Sequence, residues 1–105
     1  MKSATLVAAI AIGISGIAHA EAPDLEAGGK LYKNECRACH GPTAKGLASY
    51  PKLAGKTQEY LVDRLEQYRA GKRLGPNTAL MAPRAKNLSD DDITNITGFI
   101  VENFK

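Results

Sequence analysis

Tryptophan is absent from this 105-residue chain, and phenylalanine occurs only twice. With four tyrosines the aromatic share is 6 %, which leaves little bulky material for a core made of protein alone. Cysteine is also scarce. Two residues, Cys36 and Cys39, exclude a multi-bridge framework, and a structural zinc site lacks the second Cys/His pair it needs. No basic block is longer than Lys72-Arg73, so the net charge of +3 describes a mixed, solvated surface and not a nucleic-acid site. No stretch alternates with period two long enough to make a strand, and no repeat, low-complexity tract or linker divides the chain. The expectation is one small all-α domain.

The apolar stretch at the start is short as well. Met1-Lys2 precedes Leu6, Val7, Ile10, Ile12, Ile14 and Ile17, and the run ends at Ala18-His19-Ala20. A charged start, an apolar middle and an A-x-A end have the form of a secretory signal. Gly13 and Gly16 interrupt the apolar part, which is too short for a convincing membrane span. Residues 1–20 are therefore expected to be a signal peptide cleaved after Ala20, leaving 21–105 as the mature domain with no stable membrane insertion. Cleavage removes Met1, Lys2 and His19. His40 and Met81 then stand as the sole histidine and methionine.

What is present sits in five consecutive residues, Cys36-Arg37-Ala38-Cys39-His40. This is a C-x-x-C-H run, the attachment pattern for c-type haem. Residues three apart share one face of a helical turn, so both thiols can reach one porphyrin. His40 lies about 100° further round and can turn its imidazole toward the iron. On the cysteines alone a redox-active disulfide or half a zinc site stays open, but no β/α alternation surrounds the pair and His40 follows directly. A covalent haem would also supply much of the core that so small a chain lacks.

The remaining pattern reads as helices and turns. Asp24 caps a first helix running to about Cys36, with Glu26 in its first turn and Gly28 and Gly29 inside it. Residues 41–56 read as loop. Thr57 opens a second helix carrying Leu61, Leu65 and Tyr68 on one face, and Gly71 ends it. Gly75-Pro76-Asn77 makes a turn, and Met81-Ala82-Pro83 falls in an irregular stretch. Ser89-Asp90-Asp91-Asp92 forms a capping box for a last helix with Ile93, Ile96, Ile100 and Phe104 along its stripe and Phe99 beside it.

With attachment run, helix order and downstream methionine in place, residues 21–105 resemble the class I c-type cytochromes. They are most similar to the small bacterial monohaem members and to one half of the dihaem periplasmic ones. Tyr50-Pro51-Lys52-Leu53-Ala54-Gly55 and Met81-Ala82-Pro83 followed by Asn87-Leu88-Ser89-Asp90 carry the resemblance. It implies the cytochrome c fold, about four short helices around one covalent haem c. Cys36 and Cys39 would hold the haem, with His40 as proximal and Met81 as distal iron ligand. The Pro51 carbonyl would accept from His40 Nδ1, and Leu53 would cover the haem on that side. Gly28 and Tyr32 would form the face where the first helix crosses the last, opposite Ile96 and Phe99. Tyr50, Tyr60, Tyr68 and nearby Arg or Lys residues are candidates for the propionates. Asn87 reads as a turn residue or a haem-pocket contact.

The implied function is a monomeric one-electron carrier, not an enzyme, exported through the Sec route to the bacterial periplasm. Its partners would be redox proteins, a quinol-oxidising complex on one side and a terminal oxidase or reductase on the other. Lys30, Lys33, Lys45, Lys52, Lys56, Lys72 and Arg73 are available for a basic docking rim. A dedicated electron-transfer subunit of one dehydrogenase or reductase complex is the alternative. A gas-sensing or peroxide-reacting haem protein is a third reading, without a second histidine in the mature chain for acid–base work.

Overall fold

A computed structural model describes residues 22–105; the expected signal peptide, 1–20, lies outside the described residues. The architecture is all-α, with α1 (Leu25–Leu31), α2 (Arg37–His40), α3 (Gln58–Arg69), α4 (Thr78–Lys86) and α5 (Asp90–Asn103). A π turn, Tyr32–Cys36, joins α1 to α2, so these three segments form one continuous helical run and the described residues hold four helices. Among the described residues the only strand-like pairing is an isolated bridge between Leu47 and Tyr50. None of the described helices is long and apolar enough to cross a membrane.

Three of the helices, α1, α3 and α5, start on a capping side chain, whereas Asn77 at the start of α4 makes no such bond. Asp24 accepts from the Ala27 N–H at 3.0 Å, and Thr57 accepts from the Tyr60 N–H at 3.1 Å. Ser89 and Asp92 close a reciprocal capping box at 3.0 Å in both directions, with Asp90, Asp91 and Asp92 in the positive first turn of α5. Gly71, at φ +84°, ends α3 where a left-handed residue is needed.

The core lies where α1 crosses α5. A Cβ built on Gly28 would stand 2.0 Å from the Asn95 carbonyl oxygen and 3.0 Å from Phe99 Cβ. The two backbones therefore touch at this point, and only a residue without a side chain allows it. The atoms nearest Gly28 belong to Asn95 and Phe99, whereas Ile96, 1 % exposed, joins Tyr32 in the buried cluster. Gly98 makes a second close approach, with Pro23 ring atoms 2.5 Å from where its Cβ would be. Beside the crossing, Tyr32, Phe99 and Phe104 form an aromatic trio with centroids 5.3–5.9 Å apart. α3 is fastened to α5 by Gln58, which donates to Thr94 O and Thr97 Oγ1, and by Arg69, which reaches Leu88 O and Asp90.

Two expectations are corrected. Met81-Ala82-Pro83 is not irregular but lies inside α4, with Pro83 at its sixth position. Proline tolerance explains the difference. Pro83 removes one i→i−4 bond, to Ala79, but the Leu80 and Met81 N–H groups still bond Asn77 O at 2.9 and 3.1 Å. A short helix with strong formers in its first turns survives that loss. Phe104 is likewise displaced from the helical stripe: it is the cap residue just past α5.

Candidate functional site

The helical run from Leu25 to His40 delivers the attachment residues. Within it the Arg37 N–H bonds Tyr32 O, five residues back, so the π turn holds one residue more than an α-turn. That extra residue turns everything after it by about 100° relative to the α1–α5 crossing. Gly28 and Tyr32 thus face α5, while Cys36, Cys39 and His40 face a cleft. Tyr32 braces the junction, its hydroxyl donating to Gly41 O at 2.6 Å. Burial, then the neighbouring Cys36, pushes its phenol up from the usual 10.0 to about 12.

His40 is 6 % exposed, and its Nδ1 lies 2.8 Å from Pro51 O. A carbonyl can only accept, so Nδ1 carries the proton and Nε2 keeps its lone pair free for a metal. The loop 41–56 is built to bring Pro51 there. The Gly46 N–H bonds His40 O at 2.8 Å, and the Leu47–Tyr50 bridge turns the chain back. At φ +85°, with Tyr50 O only 2.6 Å from where a Cβ would be, position 46 accepts glycine alone. Gly46 was not singled out in the sequence; only its place in a Gly/Pro-rich loop marks it.

The cleft has a volume of about 490 Å3. Leu61, Ile96 and Ile100 form its buried apolar wall, with Leu53 and Leu65 half-buried beside them. Cys36, Cys39 and His40 enter from the attachment helix and Met81 from α4. Tyr50, Tyr60, Tyr68 and Asn87 line it as well, and so do Arg64 and Arg84, which sequence reading did not single out. Arg64 stands four residues from both Tyr60 and Tyr68, with its guanidinium 5.7 and 6.0 Å from their rings. Of the seven basic residues offered for a rim, Lys52 lines the cleft; Lys56 lies over the Tyr60 ring at 5.4 Å.

The donor set decides what the cleft can hold. No group of three or more His, Cys, Asp or Glu side chains gathers among the described residues, which removes the zinc alternative there. Both cysteines are free and half-buried. Burial, followed by Glu35, pushes the Cys36 thiol up to about 12, so it is not poised as a thiolate nucleophile. Two thiols on one helical turn, an imidazole with a free Nε2, a thioether and an apolar wall fit a macrocycle bonded through sulfur and ligated through iron.

Comparison with known proteins agrees. The cytochrome c family model matches residues 25–103. Cytochrome c-554(548) of Halomonas halodenitrificans is 48 % identical over 65 residues, 61 % of this chain and 78 % of that protein. Cytochrome c-554(547) of Halothiobacillus neapolitanus is 38 % identical over 87 residues, 75 % of this chain and 96 % of that one. The solved structure of cytochrome c4 from Acidithiobacillus ferrooxidans superposes with a TM-score of 0.62 at 29 % identity, covering 82 % of this chain and 51 % of that chain. The chain thus spans about half the length of the cytochrome c4 it resembles. Attachment run, helical frame and matched family model converge, and the chain belongs to the cytochrome c family, electron-transfer proteins with a covalently bound c-type haem.

Proposed function

We propose that this protein is a periplasmic one-electron carrier with His40 and Met81 as axial ligands, exported by cleavage after Ala20. The observation that carries the ligand assignment is that His40 and Met81 line one cleft while Pro51 holds the His40 proton away from it. When bound, the haem supplies an iron couple that changes by one electron. The chain's residues set how that couple behaves. The Nδ1–H bond to Pro51 orients the His40 ring and raises its basicity. The Met81 thioether is a weak donor that favours the lower iron charge and raises the potential. Leu61, Ile96 and Ile100 exclude water, which disfavours the more charged state in the same direction. His40 and Met81 would both be engaged in holding the haem, which supports transfer over catalysis.

Lys52 and Arg64 put positive charge in the cleft lining beyond the Arg84–Glu35 pair, which suits transient docking on acidic redox partners such as a quinol-oxidising complex and a terminal oxidase or reductase. Mass spectrometry of the exported protein should find an N-terminus at Glu21 and one porphyrin attached through Cys36 and Cys39. Optical redox titration tests the ligands. The wild type should titrate as a single one-electron centre with a near-infrared iron–thioether band. Met81→Ala should abolish that band, lower the potential and admit carbon monoxide to the ferrous protein; an unchanged spectrum would remove Met81 from the assignment.

A further inference from the structure

α4 carries Met81, yet it is weakly held. It packs against α3, and no other helix makes comparable contact with it. Pro83 also removes the bond that would tie Arg84's turn back to Ala79. Two side chains reach across the cleft instead. Arg84 Nη1 donates to Glu35 Oε1 at 3.2 Å, beside the attachment residue Cys36. Asn77 Nδ2 donates to Ser49 O at 3.3 Å, two residues before the Pro51 carbonyl that holds His40.

Met81 and Arg84 are three apart on one face of α4, Asn77 is its N-cap one turn before Met81, and all three line the cleft. The two cross-cleft contacts therefore bracket Met81. We propose that Asn77 and Arg84, through Ser49 and Glu35, are positioning residues that latch α4 over the cleft and fix the Met81 sulfur at the iron. The assignment rests on Met81 being the distal ligand. Its consequence is kinetic: the latches govern how often Met81 leaves the metal and an outside ligand can enter.

The test uses the exported holoprotein in its oxidised form and cyanide as the probe, following loss of the iron–thioether band. Arg84→Met and Glu35→Gln should each speed displacement about two- to five-fold, the range an exposed ion pair supports. Combined, they should be no faster than either alone, because one interaction has been removed. Arg84→Lys should restore a rate near wild type, and Asn77→Ala should accelerate displacement independently. Raising salt should speed the wild type while leaving Arg84→Met unmoved. Wild-type rates in Arg84→Met and Asn77→Ala, with the band present in the wild type, would overturn the latch and leave the ligand assignment standing. A wild type lacking the band, binding cyanide as fast as Met81→Ala, would overturn the ligand assignment and the latch with it.

Discussion

Tyr32 shows how much one side chain contributes to this site. Its hydroxyl bonds Gly41 O, which also accepts from the Ala44 N–H at 3.3 Å, so removing the hydroxyl does not orphan the carbonyl. Tyr32→Phe should therefore cost only about 1 kcal/mol at neutral pH. Alkaline pH reverses the order. The phenol's proton is released near 10 in the unfolded chain and near 12 in the fold, where burial opposes the anion. The unfolded state then binds fewer protons, so the stability present below pH 10 is lost as pH rises through 12, by on the order of 2 kcal/mol. The Phe variant lacks this loss, and denaturant midpoints of the two holoproteins should cross at about pH 11. Parallel curves would mean that Tyr32 does not resist ionisation. The attachment run was legible because its chemistry lies in type and spacing, whereas Pro51 was reached only through the family resemblance. Gly46, Arg64 and Arg84 were not, because their roles depend on which loop or helix face comes to border the cleft.

Between elements, the two glycine contacts offer a sharper comparison. In an open helix Gly→Ala gains about 1 kcal/mol from propensity. At Gly28 that gain is overwhelmed, because the new Cβ meets the Asn95 carbonyl, an atom fixed in the middle of α5. Gly28→Ala should lose about 2–3 kcal/mol as α1 and α5 are forced apart. At Gly98 the obstacle is the Pro23 ring, which lies before α1 and can shift with its short segment. Gly98→Ala should cost clearly less, and thermal unfolding of the two holoproteins checks the order; equal losses would show that the Pro23 segment is as rigid as α5. Gly28 was readable as a crossing residue, since glycines inside a helix need a packing reason. Phe99 stands at the crossing beside Gly28, and Asn95 joins it through its backbone carbonyl, a contact no side-chain pattern records. The π turn and α4 escaped for related reasons: a single inserted residue leaves no periodicity, and Pro83 marks a helix end more often than a helix interior.

At the scale of the molecule, the cleft is large for so small a chain. The buried cluster comprises Tyr32, Ala44, Ala54, Leu61, Ile96 and Ile100, and two of these six are alanines. The protein interior alone offers little to hold α3 and α4 against α5. Leaving about 490 Å3 of mostly apolar space unfilled would cost roughly 12 kcal/mol at about 24 cal/mol per Å3, an upper bound because water can wet an open cleft. A domain of this length has only about 4–13 kcal/mol of stability in total. Half of the cavity figure is therefore comparable with the whole stability of such a domain. On the proposed attachment through Cys36 and Cys39, the haem would be a structural core as well as the redox centre, held there in both oxidation states. Replacing both cysteines, Cys36→Ser with Cys39→Ser, should yield a haem-free chain with residual helix but no cooperative thermal transition by circular dichroism. The holoprotein should melt sharply under the same conditions. A sigmoidal melt in the haem-free chain, with a midpoint near that of the holoprotein, would show that the polypeptide closes its own cleft and that the haem only occupies a preformed fold.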